Sequence, residues 1–497
     1  GRDAAQLAVQ SRMEVYAALS KPTEGLYISY PTGDDDGAAK QPSALVARIA
    51  GLLDVTVEEA ALWQGHTPAA LLRPVAAALR EAAAGGAPSG PWRQAVAALR
   101  QEGSQAGQVA AMLQAQQPQP LGLDAAQLLP LASATSASRL EDYARCPFQF
   151  LVTYGLAPQA WPDHTLDAIG AGLYLHEAAA RFGRLAAERG EVTPEGLERL
   201  MEEVTEPLTQ EIMGEELLAS GRGRFMAGQL QAICRRSAQT YARQLRQGDF
   251  APRFFEVAFQ NGLELGPILL DLPGGGQAQL SGKIDRVDVL RREDVDYLRV
   301  IDYKSRGETV DLAAALGGWQ IQLWLYMDAL CAAWPRLTGR PAKPAGLFYA
   351  PLQDRFAQPK PGQGDKAAQL AERMNGLCLD DPAILAALDR DLSQPGRESH
   401  VVNLKTNARG SAGAGGRSAQ DLQAIATGVR EQAALHLDAI RRGEVAPQPL
   451  REGQRLSCQQ CPYGALCQMS VYGGQVKRPP TSQEVEAWIA QHKEDTP

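Results

Sequence analysis

The chain contains 497 residues, of which 45% are hydrophobic, and this length is sufficient for two or three domains with their own cores. The net charge of −8 does not favour nucleic-acid binding by the protein as a whole, although the local distribution of charge matters more than the sum. No apolar run reaches the roughly 18 residues of a membrane span, no signal peptide opens the chain, and 7 cysteines are too few for a disulfide scaffold. We therefore expect a cytoplasmic protein.

The N-terminal part of the chain predicts short elements followed by a linker. Residues 1–53 are expected to form a helix, a short strand over residues 25–30, a turn over residues 32–37 and a second helix near Pro42. Residues 54–116 predict several short helices, with breaks at Pro68, Pro74, Gly85, Gly86 and Pro91. Prolines and small polar residues over 117–135 are typical of a linker.

The remaining sequence combines long helical stretches with strands. Residues 136–250 predict mainly helix, ending near Gly248. The expected strands are residues 254–259, 268–272, 279–285, 287–290, 297–303 and 345–350, with a hairpin between the fourth and the fifth. The expected later helices are residues 319–334, 366–392 and 418–442, with a flexible loop over residues 408–417. This order of elements predicts an α/β or α+β arrangement.

Two carboxylates and a lysine follow a pattern suited to phosphodiester hydrolysis. Asp285 lies in the sequence G-K-I-D-R (residues 282–286), and Asp302 and Lys304 lie in V-I-D-Y-K (residues 300–304). Asp302 and Lys304 are two residues apart on a strand and therefore share a face, and the hairpin would bring Asp285 beside Asp302. Carboxylates bind the divalent metals that activate water, Lys304 would orient that water, and the Tyr303 carbonyl is an expected extra ligand. An isolated Asp-x-Lys is usually a solvated ion pair, but the upstream acid favours a metal site.

Further residues are candidates for the same site. A single helical histidine is usually structural, but beside this pattern His176 becomes a candidate metal ligand, and imidazole suits Mn²⁺ better than Mg²⁺. Gln322 and Tyr326 share a helix face and would contact the substrate or support Lys304; a polar fringe on a packed helix is the alternative. Glu256 is a weaker candidate for a supporting acid. Basic residues near these positions in the sequence predict a local basic lining: Arg181, Arg184, Arg286, Lys304 and Arg306.

Four cysteines surround this pattern. Cys458, Cys461 and Cys467 form a C-x2-C-x5-C run, which has metal-ligand spacing but does not distinguish zinc from an iron–sulfur cluster. Cys146 is the expected fourth ligand, because its Cys-Pro-aromatic sequence recurs at Cys461. A local zinc site with a histidine ligand is the alternative, although no histidine lies between Cys458 and Cys467. A site with all four cysteines would enclose the predicted catalytic region.

These two constellations resemble a known nuclease family. The polar candidates are similar to the motif of the RecB-type branch of the PD-(D/E)XK nuclease superfamily: His176, Asp285, Asp302, Lys304, Gln322 and Tyr326. The cysteine layout resembles the iron–sulfur nuclease domain of AddB-type subunits of AddAB helicase-nucleases, and residues 10–50 resemble the end of that family's second helicase-like domain. The resemblance implies an α/β fold with a restriction-endonuclease-like mixed sheet flanked by helices, an iron–sulfur staple and an α-rich N-terminal region.

The resemblance also implies ligands and domain limits. It implies a 4Fe-4S cluster on the four cysteines, namely Cys146, Cys458, Cys461 and Cys467. It implies Mg²⁺ or Mn²⁺ on four residues, namely His176, Asp285, Asp302 and Tyr303. The chain would be the C-terminal part of a longer subunit, with a helicase-like remnant and helical segment over 1–130, the nuclease domain over 136–475 and a C-terminal tail or helix over 476–497. No Gly-x4-Gly-Lys-[Ser/Thr] phosphate loop occurs, so we expect no ATPase activity from this chain alone.

The implied activity is a Mg²⁺-dependent DNA exonuclease that trims the 5′-ending strand during double-strand-break processing for recombinational repair. Its substrate would be single-stranded DNA from unwound duplex ends, its partner an AddA-type helicase-nuclease subunit, and its location the bacterial cytoplasm, without a membrane. Two alternatives stay open: a non-catalytic DNA-end-binding module with a vestigial site, and a zinc-stapled endonuclease. The intact set of Asp285, Asp302 and Lys304 argues against a vestigial site.

Overall fold

The computed structural model describes most of the chain and divides it into two compact units. The described residues are 4–33, 39–57, 67–83, 85–88, 90–101, 105–114, 125–129, 134–159, 168–263, 265–304, 307–352, 370–467, 469 and 475–493. The units are Gly1–Gln117 and Pro118–Pro497. Within the described residues, no helix combines the length and apolarity needed to cross a membrane.

The first unit is helical. Its helices are α1 (Ala4–Ser20), α2 (Ala44–Leu53), α3 (Pro68–Ala83), α4 (Trp92–Gln101) and α5 (Ala106–Gln114). Ser43 caps α2 by accepting a hydrogen bond from the Leu45 N–H, in agreement with the helix predicted near Pro42. Helices α3, α4 and α5 share a small core that includes Val75, Leu99 and Val109.

Two predictions for the first unit are wrong. Residues 25–30 are extended but form no strand, and Tyr27 is almost fully exposed, because no neighbouring segment of the described chain pairs with them. Helix α3 continues through Pro74 instead of breaking there. The loss of one backbone hydrogen bond at Pro74 is tolerated because Val75 and Leu79 on the following turn pack into the small core. The turn predicted at residues 32–37 lies mostly outside the described residues.

The second unit consists of a mixed sheet and helices on both of its faces. Its helices are α6 (Ala125–Leu128), α7 (Ala137–Arg145), α8 (Pro147–Phe150), α9 (Ala168–Arg189), α10 (Pro194–Ala219), α11 (Gly221–Gln247), α12 (Leu312–Gly317), α13 (Gln322–Thr338), α14 (Pro382–Leu388), α15 (Ala419–Arg441), α16 (Gly464–Cys467) and α17 (Ser482–Lys493). Its strands are β1 (Ala134–Ser136), β2 (Ala251–Phe259), β3 (Ile268–Asp271), β4 (Gln277–Arg291), β5 (Asp296–Lys304), β6 (Ala342–Pro351), β7 (Asn375–Leu379), β8 (Gly416–Arg417), β9 (Arg451–Glu452) and β10 (Arg455–Leu456). A π-helical turn, Leu151–Leu156, follows α8.

The long strand β4 organises the sheet. It pairs antiparallel with β2, β3 and β5 and parallel with β1. The sheet then continues through β5, β6, β7 and β8, with β5 and β6 parallel, β6 and β7 antiparallel, and β7 and β8 parallel. Helix α13 lies between β5 and β6 in the sequence and forms the crossover that two parallel neighbours require. The mixed sheet flanked by helices agrees with the predicted α/β class.

Side-chain alternation along the strands feeds two separate cores. In β5, Leu298 and Val300 pack in the core with α7, α13, α15 and α17, whereas Ile301 and Tyr303 pack in the core with α9, α10, α11 and α14. The sheet is therefore buried on both faces, and apolar side chains of β5 point to both sides of it. Asp302, near the end of β5, is itself buried, so its charge needs a partner within the fold.

Several boundaries differ from the sequence predictions. Residues 279–290 belong to one continuous strand, β4, instead of two segments, and Asp285 lies in its interior. The predicted linker 117–135 ends in β1, which the parallel pairing with β4 holds in the sheet. The predicted helix 366–392 contains the strand β7, whose Leu377 and Cys378 are buried in the two different cores. The predicted loop 408–417 ends in the edge strand β8. Tertiary pairing overrides local propensity at each of these places.

Candidate functional site

Two acids and a lysine meet where β4 and β5 run side by side. The Asp285 carboxylate accepts a hydrogen bond from the Tyr303 backbone N–H at 2.7 Å, which ties the two strands together at this point. Lys304 Nζ lies 2.8 Å from Asp302 Oδ2 and over the ring of Tyr349. Asp285 and Asp302 are 7% and 5% exposed. Two buried carboxylates whose charges act on each other are unfavourable unless a cation compensates for them.

A histidine and a third acid lie beside Asp285. His176 on α9 places Nδ1 3.2 Å from Asp285 Oδ2. Donor atoms of His176, Glu256 and Asp285 all lie within 4.8 Å of one another, a spacing that suits a shared metal ion. Glu256 has a backbone φ of 59° inside β2, a left-handed conformation that costs a non-glycine residue energy and tends to occur at functional sites. The sequence indicated Glu256 only weakly.

The charges of this site perturb one another. Burial raises the pKa of Asp302 to about 6, and the nearby Asp285 carboxylate adds to the increase while Lys304 opposes it. Burial by itself would lower the pKa of His176, but its contact with Asp285 outweighs burial and raises that pKa. The pKa of Lys304 is likewise raised, because the Asp302 charge outweighs the burial of the ammonium. The site therefore favours positive charge at its centre, which is the condition for binding a divalent cation.

Helix α13 contacts both strands through the predicted pair Gln322 and Tyr326. The Gln322 side-chain amide donates a hydrogen bond to Asp302 Oδ1 at 3.2 Å. The Tyr326 hydroxyl is hydrogen-bonded to the backbone of Lys283 on β4. A Cβ at Gly282 would lie 2.2 Å from the Tyr326 hydroxyl oxygen, so only glycine permits this approach. The glycine of the G-K-I-D-R sequence thus serves the packing of α13 against the strand that carries Asp285.

Glu141 is a component of the site that the sequence did not reveal. Its Oε1 on α7 accepts hydrogen bonds from the backbone N–H groups of Ile321 and Gln322, at 2.8 and 3.0 Å, and so caps the start of α13. Burial raises the pKa of Glu141 to about 7, and the hydrogen bond from Gln322 and the charges of Arg145 and Lys304 oppose that increase. No local pattern distinguishes Glu141 from an exposed helical acid, because Ile321 is 180 residues away in the sequence.

The predicted basic lining is largely wrong. Arg286 is 2% exposed and binds Asp288 through two hydrogen bonds of 2.6 and 2.8 Å, in a buried cluster that also contains Arg299. Arg181 is held between Glu177 and Glu211. Arg286 follows Asp285 directly and therefore points to the opposite face of β4, into the α11 side of the sheet. Arg306 lies outside the described residues. Lys304 lies at the site, beside Asp302.

The four cysteines form a second site. Cys146, Cys458, Cys461 and Cys467 line one small cavity with Phe148, Pro447, Pro449 and Met469. All four are free thiols, and Cys146 is buried at the junction of α7 and α8. The Leu450 backbone N–H donates a hydrogen bond of 2.9 Å to the Arg145 carbonyl, which joins the two segments. Four thiols around one cavity fit a soft-metal centre, and this donor set suits either zinc or an iron–sulfur cluster.

Helix α7 connects the two sites. Glu141 contacts the start of α13, and Cys146 follows the last residue of the same helix. Five residues of helix span about 7.5 Å. The structure therefore brings His176, Asp285, Asp302, Lys304, Gln322 and Tyr326 together in one site, with Tyr303 between two of them, and the cysteines in another site nearby along α7.

Comparisons with known proteins found one family and several similar relatives. The family model described as the PD-(D/E)XK nuclease superfamily matches residues 134–468. The chain is 31% identical over 474 residues to an ATP-dependent helicase/deoxyribonuclease subunit from Moorella thermoacetica, covering 91% of this chain and 41% of that protein. It is 32% identical to the protein of the same name from Desulforudis audaxviator, covering 91% of this chain and 41% of that protein. It is 30% identical to the protein of the same name from Symbiobacterium thermophilum, covering 92% of this chain and 42% of that protein. The chain thus spans about two fifths of the length of these relatives.

Proposed function

Because the chain belongs to the PD-(D/E)XK nuclease superfamily, we propose that it is a metal-dependent DNA exonuclease and acts in the processing of double-strand breaks for recombinational repair. The observation that carries the proposal is the meeting of Asp285, Asp302 and Lys304 at one place on β4 and β5. The similarity to helicase/deoxyribonuclease subunits supports DNA as the substrate. An exonuclease that trims the 5′-ending strand is the specific form of the activity that we propose.

The residues of the site divide into ligands, a water-orienting group and supports. Asp285 and Asp302 would hold Mg²⁺ or Mn²⁺, with His176 and the Tyr303 carbonyl as further ligands and Glu256 in reach of the same ion. A bound divalent cation supplies Lewis acidity, which makes water a better nucleophile and stabilises charge on the phosphate oxygens. Lys304 orients the attacking water from its position beside Asp302.

The supporting residues keep these groups in position. Gln322 holds Asp302 by its amide hydrogen bond, so that the carboxylate presents its other oxygen towards Lys304. Tyr326 holds the backbone of β4 two residues before Asp285. Glu141 caps α13 and thereby fixes the position of Gln322. Such support matters because a displacement of about 1 Å at a catalytic group lowers the rate about 10²-fold.

We further propose that Cys146, Cys458, Cys461 and Cys467 hold a 4Fe-4S cluster whose role is structural. The shared cavity and the position of the cysteines at both ends of the catalytic region support this proposal. Thiolate ligands also suit zinc, so metal analysis of anaerobically purified protein is the decisive measurement. Stoichiometric iron and sulfide are expected, and stoichiometric zinc without visible absorption would contradict the cluster.

The wider assembly is also a proposal. The relatives are named as subunits of an ATP-dependent helicase/deoxyribonuclease, and this chain spans about two fifths of their length. We propose that the chain is the C-terminal part of such a subunit, with domain limits near residues 130 and 475, and that its partner is an AddA-type helicase-nuclease. Single strands from unwound duplex ends would be the substrate, in the cytoplasm, where the chromosome is located.

Cleavage of end-labelled single-stranded DNA in Mg²⁺ tests the activity, with wild type compared with Lys304→Ala under anaerobic conditions. The wild type is expected to release short labelled products, and Lys304→Ala is expected to bind DNA without cutting it. Lys343→Ala is the matched control, because Lys343 is exposed at the opposite end of β6 from the residues beside Asp302. Cleavage that survives in Lys304→Ala would refute this site, and cleavage of circular single strands would favour an endonuclease. DNA binding without cleavage by the wild type, also after addition of the AddA-type partner, would indicate a vestigial site.

A further inference from the structure

Lys283 lies at the edge of the site. It is two residues before Asp285 on β4, so the two side chains leave the strand on the same side. The Tyr326 hydroxyl holds the Lys283 backbone in place. The side chain of Lys283 is 54% exposed, and its ammonium forms an ion pair with Glu256 on β2. Lys283 therefore reaches from the surface into the group of acids.

The partner of Lys283 is not an ordinary surface acid. The Glu256 side chain is only 10% exposed, and its donor atom lies within 4.8 Å of those of His176 and Asp285. Glu256 has a left-handed backbone, with φ of 59°, inside the otherwise extended strand β2. Such backbone strain tends to occur at functional sites. A carboxylate held in this way, inside a group of metal-ligand donors, is suited to bind a cation. Lys283 supplies the cationic charge in this structure.

We propose that Lys283 is a substrate-binding residue whose ammonium leaves Glu256 when a divalent cation binds among His176, Glu256 and Asp285, and then binds a phosphate of the DNA strand. The inference rests on the proposed nuclease function. A divalent cation and an ammonium compete for the same carboxylate, because like charges at this distance repel. The released ammonium is on the exposed side of the site, where the anionic strand must approach the metal. Arg286 and Arg181, which the sequence predicted as part of a basic lining of the site, are engaged in ion pairs of their own.

This exchange predicts opposite effects of one substitution on two ligands. Lys283→Ala removes the competitor for Glu256 and should bind Mn²⁺ about two- to fivefold more tightly than wild type, the range expected for a partly exposed ion pair. The same substitution removes a phosphate contact, so binding of single-stranded DNA should weaken about three- to tenfold in the presence of Mn²⁺. Loss of a residue with a purely structural role would weaken the binding of both Mn²⁺ and DNA, or of neither.

Metal binding is measured without DNA, by electron paramagnetic resonance or calorimetry with Mn²⁺ and the full chain. Lys343→Ala removes one positive charge at the far end of the same sheet and should leave Mn²⁺ affinity unchanged. Lys283→Arg retains the charge and should keep DNA binding near that of wild type. Circular dichroism on each variant checks folding, and Lys283→Gln serves as a second neutral variant if Lys283→Ala does not fold.

DNA binding is measured by fluorescence anisotropy with labelled oligothymidylate in the Lys304→Ala background, so that the strand is not cut. Without a divalent metal, Glu256 retains the ammonium, and adding Lys283→Ala should change affinity little. With Mn²⁺, Lys283→Ala should weaken binding and lower the salt dependence of log Kd by about 0.7, the value for one phosphate contact on a single strand. Equal effects with and without Mn²⁺ would overturn the exchange.

The outcomes separate this inference from the proposed function. If Asp285→Asn loses Mn²⁺ affinity but Lys283→Ala does not raise it, the metal site stands and the role of Lys283 is refuted. If Asp285→Asn binds Mn²⁺ as tightly as wild type, the metal site is elsewhere, and both proposals are refuted.

Discussion

Replacing Glu141 with glutamine should stabilise the protein above pH 7 and leave its stability unchanged near pH 4.5. Glutamine retains an oxygen that accepts the hydrogen bonds from Ile321 and Gln322, but it cannot ionise. Burial raises the pKa of the Glu141 carboxyl from 4.5 to about 7, against the opposing hydrogen bond from Gln322 and the charges of Arg145 and Lys304. The wild-type cap is therefore most stable when it is protonated.

The sign and size of the effect follow from proton linkage. Between pH 4.5 and about 7 the native state binds more protons at Glu141 than the unfolded chain does, so the free energy of unfolding falls as the pH rises through this window. At about 1.4 kcal/mol per pKa unit, ionised Glu141 lowers that free energy by about 3 kcal/mol above pH 7. For a unit of about 380 residues, this corresponds to about 4 °C in Tm. Lys304 and Arg145 are the charged groups that face this carboxylate and limit the effect.

Thermal unfolding of wild type and Glu141→Gln between pH 4.5 and 8.5, without added divalent metal and under anaerobic conditions, measures the difference. The two Tm values should coincide near pH 4.5, diverge up to about pH 7 and then stay apart, with the variant higher. Glu431→Gln, at an exposed position on α15, removes one charge at the surface. Its free energy of unfolding should stay within about 0.5 kcal/mol of that of wild type at every pH. A difference that does not depend on pH, or a variant that is less stable at pH 8, would refute the assignment of Glu141 as a helix cap with a raised pKa.

Two further substitutions test the packing around the sites. Cys461→Ser should lower Tm far more than Gln459→Ser, an exposed neighbour in the same run, because the metal centre that we propose on the four cysteines would be coupled to folding. Equal Tm values of the two variants would contradict a structural metal centre. Gly282→Ala should destabilise by about 1–3 kcal/mol and slow cleavage, because its Cβ would meet Tyr326 at 2.2 Å. Adding Tyr326→Ala to the Gly282→Ala variant should relieve that clash. Gly228→Ala, where no atom lies within 4 Å of the added Cβ, should be tolerated. If denaturant unfolding gives Gly282→Ala the same free energy of unfolding as wild type, α13 does not pack so closely against β4.

Local patterns predicted much of the second unit. The strands around Asp302, the crossover helix α13 and the long helix α15 follow from apolar periodicity over many residues, which burial on both faces of a sheet enforces. The placement of Asp302 and Lys304 on one face required only the two-residue repeat of a strand. Short or edge elements were harder: β7 lies inside a stretch that reads as helix, and β8 consists of 2 residues whose pairing with β7 defines them.

The chemistry of each side chain and its spacing along the chain are local properties, and they were sufficient to name the acids, the lysine and the cysteines. Which groups meet is a property of the packed molecule. The capping of α13 by Glu141 and the ion pair of Lys283 with Glu256 each join residues on different elements. Arg286 follows Asp285 directly in the sequence, yet its side chain points away from the site and packs over Tyr241 on α11. These contacts arise because burying both faces of the sheet fixes the register of β2, β4 and β5 and the position of α7 and α13, and no short sequence pattern encodes that register.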